Sequence, residues 1–130
     1  MKNGKAICFI ISHGNLAYEL NEVAQKFLPI SIPVYLYSNK KDSIEKIIQE
    51  AGNKIEESDP GKVIVFVDLV GGSCWRAALS LKQNYNNIAV IGGVNLPALV
   101  SLATNISRLE WPELITKLEE DAVKAIKVIK

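Results

Sequence analysis

Ala6-Ile7-Cys8-Phe9-Ile10-Ile11-Ser12-His13-Gly14-Asn15 is an unbroken apolar run that halts at the chain's only histidine. A strand with one wet face alternates apolar and polar residues, whereas a strand buried on both faces of a parallel sheet is apolar throughout. This run therefore predicts an interior parallel strand. Cys8 within it reads as a small core residue. The turn that follows is the place to look for chemistry, because an imidazole near pH 7 can act as a neutral nucleophile or a proton carrier.

Moving outward, Asn15 or Ser12 caps a first helix whose apolar positions are Leu16, Leu20, Val23, Ala24 and Phe27, ended by Pro29. Ile32 to Tyr37 is a second strand, and Pro33 suits a sheet edge, which places it outside strand one. Ser38-Asn39-Lys40-Lys41 reads as a solvated polar turn. Asp42 with Glu45 resembles a capping box, opening a helix with Ile44, Ile47, Ile48, Ala51 and Ile55 on one face. After the turn Ser58-Asp59-Pro60-Gly61, Val63 to Val67 is the most strand-like run in the chain and predicts a central strand.

That strand ends in Asp68-Leu69-Val70-Gly71-Gly72-Ser73. A helix follows from about Cys74 to Asn84, with Ala78, Leu79 and Trp75 as candidates to face the sheet. Ile88 to Ile91 is a fourth strand, and Asn95 caps a fourth helix with Pro97 in its first turn. A last amphipathic helix starts at Trp111-Pro112 and uses Leu114, Ile115 and Leu118. Val123 to Ile129 loses helical period and reads as a short final strand, its lysines discouraging stray edge pairing.

Four strand–helix units joined by right-handed crossovers imply an α/β fold, a doubly wound and mainly parallel sheet with helices on both faces. The strand order is 2-1-3-4, and the switch point falls between strands one and three, where ligands bind at the carboxyl ends of such sheets. His13 and Asp68 sit at its two lips. An aspartate that accepts the proton of one ring nitrogen fixes the tautomer and leaves the other nitrogen free to attack. Gly71-Gly72-Ser73 sets unhindered N–H groups at a helix start, where donors and dipole favour an anion. A nucleophile beside an anion cradle suggests phosphoryl transfer.

The totals narrow the alternatives. At 130 residues, 48% hydrophobic and 22% charged, residues 1–130 form one domain, large enough to bury roughly two thirds of its unfolded surface. Fifteen basic against fourteen acidic side chains leave a charge of +1, far from the basic excess that holds nucleic acid. Cys8 and Cys74 are too far apart for a Cys-x-x-Cys pattern, and one histidine offers no second cluster, so no metal site is expected. Free thiols fit a reducing cytoplasm. Met1-Lys2-Asn3-Gly4-Lys5 and the apolar run after it imitate a signal peptide, but the run is short and lacks a small-residue cleavage pattern. No stretch is long enough to cross a membrane, so a membrane role would come only through a partner. There is no Gly-x-x-x-x-Gly-Lys-Ser/Thr or Gly-x-Gly-x-x-Gly loop, and no acidic pair ends strand one to hold magnesium. The phosphoryl group must come from elsewhere.

Ser12-His13-Gly14, Val67-Asp68-Leu69-Val70-Gly71-Gly72-Ser73 and Gly92-Gly93-Val94-Asn95-Leu96-Pro97-Ala98-Leu99-Val100, in that order, resemble the IIA component of the mannose-type sugar phosphotransferase system. The likeness runs from the first strand to the last helix. It implies that His13 takes a phosphoryl group from the phosphocarrier protein HPr and passes it to a IIB component, with Asp68 orienting the ring. The phosphoryl oxygens would meet Ser12, Gly14, Gly71, Gly72, Ser73 and Arg76. Catalysis by positioning implies no metal or organic cofactor. The resemblance also implies a homodimer in which the C-terminal strand is exchanged and pairs antiparallel with the neighbour's sheet.

After Gly-Gly-Ser the family carries proline, a variable residue and asparagine, where this chain has Cys74-Trp75-Arg76. Arg76 either holds a phosphoryl group in a bidentate fork or points outward. Trp75 belongs to a docking surface or to the core. Two other functions stay open: a regulatory or binding module on the same fold, and a cysteine hydrolase with Cys74 as nucleophile and His13 as base.

Overall fold

The apolar runs become strands and the periodic stretches become helices in the expected alternation. The computed structural model describes residues 5–130; the Met1 to Gly4 part of the N-terminal reading lies outside them. The elements are β1 (Ala6–Ser12), α1 (Leu16–Phe27), β2 (Val34–Ser38), α2 (Ile44–Ser58), β3 (Lys62–Val67), α3 (Ser73–Asn84), β4 (Ile88–Gly92), α4 (Leu96–Asn105) and α5 (Trp111–Lys124). The sheet has four strands in the order β2-β1-β3-β4, every pair parallel. This is the doubly wound α/β arrangement expected from the sequence, with its switch point between β1 and β3.

Every residue of β1 is buried, because its two faces meet different helix layers. Ala6, Cys8 and Ile10 join Ala17, Leu99, Leu102, Leu114 and Leu118 in one core, under α1, α4 and α5. Ile7, Phe9 and Ile11 join Ile47, Ala51, Ala77, Ala78 and Leu81 in the other, under α2 and α3. The period-two alternation of a strand thus splits one apolar run between two cores.

Some expectations need correction. On α1 the inward positions are Ala17, Leu20 and Ala24, while Leu16, Val23 and Phe27 face out. Small alanines let the helix lie close to the sheet, and the bulky residues at the same spacing are left on the flank. On α3 the inward set is Cys74, Ala77, Ala78 and Leu81, so Leu79 is exposed. The cap of α2 is Ser43, whose hydroxyl accepts from Lys46 N–H at 3.1 Å; Asp42 instead pairs with the Lys46 ammonium. Asn95 caps α4 as expected, its Oδ1 accepting from Ala98 N–H, and its Nδ2 donates to the Ala122 carbonyl of α5. Helix α5 runs to Lys124, so Val123 and Lys124 are helical, not the start of a strand; residues 126–130 carry no regular hydrogen-bonded structure and stand exposed.

Candidate active site

The register of the sheet builds the site. Ser12 is level with Ser38 of β2, and Ile11 with Val67 of β3. The next residues of the three strands, His13, Asn39 and Asp68, therefore emerge side by side at the carboxyl edge. Nothing in their sequence separation suggests this; parallel pairing produces it.

Asp68 grips His13 twice. One carboxylate oxygen, Oδ2, accepts from the His13 backbone N–H at 2.9 Å, and the two oxygens lie 3.1 and 3.2 Å from the ring nitrogen Nδ1. The carboxylate side chain is 9% exposed and the imidazole 42%. An ionised carboxylate only accepts, so Nδ1 carries the ring proton and Nε2 keeps its lone pair. The arrangement presents an oriented, partly solvent-facing nucleophile.

The turn holding His13 is braced from the side. Gly14 has φ of 55°, a left-handed conformation that costs glycine nothing. Its N–H donates to Asn39 Oδ1 at 3.1 Å, and its carbonyl accepts from the Ser38 hydroxyl. Asn39 N–H donates to the Ser12 carbonyl. Ser38 and Asn39, read from sequence as a solvated turn, are thus positioning residues. Their only advance signal is their place just after a strand expected beside β1. Ser12 is fully buried, and its hydroxyl accepts from Ala17 N–H at 2.7 Å, capping α1. Ser12 and Gly14 both shape the turn through these hydrogen bonds.

On the other lip, Gly71 has φ of 92° and turns the chain back toward His13. A Cβ built on Gly72 would lie 3.3 Å from Cε1 and 3.6 Å from Nε2 of the ring. The backbone at Gly72 therefore sits against the free edge of the imidazole. Gly72 is also the N-cap of α3, and no side chain caps that helix. The first-turn N–H groups from Ser73 onward have no intrahelical partner, and the Arg76 N–H donates to the Gly72 carbonyl. Gly72 and Ser73 thus form the start of α3 on the His13 side of the cleft.

The family-departing residues fall into three environments. Arg76 is exposed one turn into α3, and its guanidinium bonds neither His13 nor Asp68. Trp75 is half-buried, and its ring edge, with Val70, covers Gly92; a Cβ there would fall within 2.8 Å of the indole. Cys74 is fully buried, and burial together with the charge of Asp68 pushes its thiol pKa up. A protonated, inaccessible thiol is a poor nucleophile, which removes the ground for the cysteine-hydrolase reading. One donor atom each from His13, Asp68 and Cys74 nonetheless lie within 4.8 Å of one another. The fold brings these three side chains together from two segments, the end of β1 and the connection from β3 into α3.

A buried carboxylate paired with the chain's only histidine at the switch point of a parallel sheet marks a small doubly wound α/β protein with its candidate site at the strand ends. Solved structures share its fold. A phosphotransferase system component EIIA from Streptococcus agalactiae superposes with TM-score 0.84 at 18% identity, over 95% of this chain and 96% of its own. A mannose/sorbose-specific IIA subunit of the phosphotransferase system from Enterococcus faecalis gives 0.81 at 22%, over 97% and 96%. A IIA protein associated with the fucose utilization operon of Streptococcus pneumoniae gives 0.80 at 25%, over 98% and 96%. No curated protein matches the sequence. Residues 8–119 match the family described as the fructose IIA component of the phosphotransferase system. The chain belongs to this fructose- and mannose-type IIA family and has a IIA role in that system.

Proposed function

We propose that the protein is a phosphohistidine carrier, accepting a phosphoryl group on Nε2 of His13 from phosphorylated HPr and passing it to a IIB component. The observation that carries this reading is the pairing of His13 Nδ1 with both oxygens of Asp68, which leaves Nε2 as the free nitrogen. In the forward step the Nε2 lone pair attacks phosphorus in line, a new N–P bond forms, and the N–P bond of the donor breaks. The ring becomes cationic, and Asp68, already on Nδ1–H, stabilises that charge without moving. The open amides at Gly72 and Ser73 receive the phosphoryl oxygens, with Gly71 shaping the turn and Arg76 adding positive charge at the rim. The second transfer reverses these roles toward IIB.

The protein works as a homodimer in the cytoplasm and meets the membrane only through transporter components. Support for the dimer lies at the sheet edge. Among the described residues β4 has a strand on one side only, and a groove of about 360 Å³ beside it is lined by Val90, Ile91, Ile115, Val123 and Ile126. The tail supplies what such a groove binds, with Val128 and Ile129 73% and 98% exposed in the single chain. No helix among the described residues is long and apolar enough to cross a membrane.

Incubation with phosphorylated HPr tests the assignment. An acid-labile phosphoprotein is expected from the wild type and none from His13→Ala. Labelling that survives the substitution removes His13 from its role. No labelling, with saturable binding of HPr, replaces the carrier by the regulatory module.

A further inference from the structure

Cys74 takes no part in the transfer just described, yet the fold sets it beside the two residues that do. Donor atoms of His13, Asp68 and Cys74 all lie within 4.8 Å of one another, and Nδ1 and Oδ2 are already 3.1 Å apart. A tetrahedral zinc ion with bonds of about 2.0–2.3 Å needs donors roughly 3.2–3.8 Å apart. Small side-chain rotations close that difference. Imidazole, carboxylate and thiolate together suit zinc and its neighbours and do not suit magnesium or calcium, which take oxygen. Cys74 and Asp68 are shielded while the imidazole is half exposed, so an ion enters past the ring.

We propose that His13, Asp68 and Cys74 form a reversible site for a thiophilic divalent cation of the zinc class, and that occupancy silences His13. The silencing rests on the carrier reading; the site itself does not. On binding, the Cys74 thiol gives its proton to solvent, and Nδ1 donates its lone pair to the metal. The ring proton moves to Nε2, so the nitrogen that attacks phosphorus no longer has a lone pair. No electron is gained or lost. Three protein donors leave a fourth position for water, as in exchangeable sites rather than closed structural ones.

The probe is Co²⁺ added to the purified full chain under reducing conditions. The expected result is a near-ultraviolet thiolate-to-cobalt band that saturates at one equivalent and is displaced by Zn²⁺. It disappears in Cys74→Ser, persists in Cys8→Ser, and needs at least tenfold more metal in Asp68→Asn. A wild type without the band, or a Cys74→Ser protein that keeps it, overturns the site. In a second measurement, one equivalent of Zn²⁺ slows phosphoryl uptake from phosphorylated HPr at least tenfold in the wild type and leaves the Cys74→Ser rate unchanged. Equal wild-type rates with and without zinc overturn the silencing. A wild type that takes up no phosphate in metal-free buffer overturns the carrier reading and the silencing with it, while the cobalt spectrum still decides the site.

Discussion

Asp68 holds the backbone of His13 and its ring with one carboxylate, so its charge and its shape are separable by substitution. Asp68→Asn keeps the shape but weakens the ring contact and leaves the imidazolium without a counter-charge. Phosphoryl uptake measured by rapid quench is expected to fall roughly a hundred- to ten-thousandfold, with the circular dichroism spectrum unchanged. Gly72 offers a finer probe. Its φ is −89°, which any residue adopts, so Gly72→Ala adds only a methyl against Cε1 of His13. Uptake about ten- to a hundredfold slower, at nearly unchanged melting temperature, is the expected outcome. His13 and Asp68 were legible in the sequence because each stands where an apolar strand ends. Ser38 and Asn39 were not, since lateral neighbours across a parallel sheet leave no mark on local pattern. The closeness of Cys74 to His13 was not legible for the same reason: spacing along the chain says little about segments that a sheet brings together.

The helices show where periodicity succeeds and where it misleads. Strands β1 and β3 were readable because burial on both faces forces a continuous apolar run. Helix α1 was placed correctly, and Leu20 and Ala24 of its expected face do point inward, but Leu16, Val23 and Phe27 lie outside and Ala17 was missed, because hydrophobic spacing favours large residues while close packing on a sheet favours small ones. Ser43 and Asp42 differ as cap by a single residue, within the usual uncertainty of a helix end. Ser43→Ala should cost α2 about 1 kcal/mol, read from urea unfolding. The α4–α5 pair carries a pH-sensitive tie. The Ser101 hydroxyl donates to Asp121 Oδ2 at 2.6 Å and, with Lys117, holds that carboxyl below its ordinary range. A depressed folded pKa stabilises the fold above the unfolded value, and the gain disappears as pH falls through the folded value. Ser101→Ala is therefore expected to lose about 1 kcal/mol near neutrality, with the difference from wild type shrinking in unfolding curves taken below about pH 4.

At the scale of the whole molecule, both margins of the sheet, β2 and β4, have one strand neighbour among the described residues, and the β4 margin lies beside the apolar groove that Ile126 helps to line. Removing residues 126–130 should leave the melting profile of the single domain recognisable and convert a dimer to a monomer in sedimentation. A truncated chain that still sediments as a dimer would place the interface elsewhere. The tail was the least legible part of the sequence, because its mixed apolar and lysine pattern fits neither period cleanly, and local helix propensity extends α5 through Lys124. The margin opposite the tail has its own importance. Among the described residues strand β2 has a single neighbour, yet Ser38 and Asn39 at its end clamp Gly14. Outer strands fray more readily than inner ones. Transient loss of this border unclamps the reactive loop while the centre stays intact, so heat should extinguish phosphoryl exchange several degrees before the protein melts.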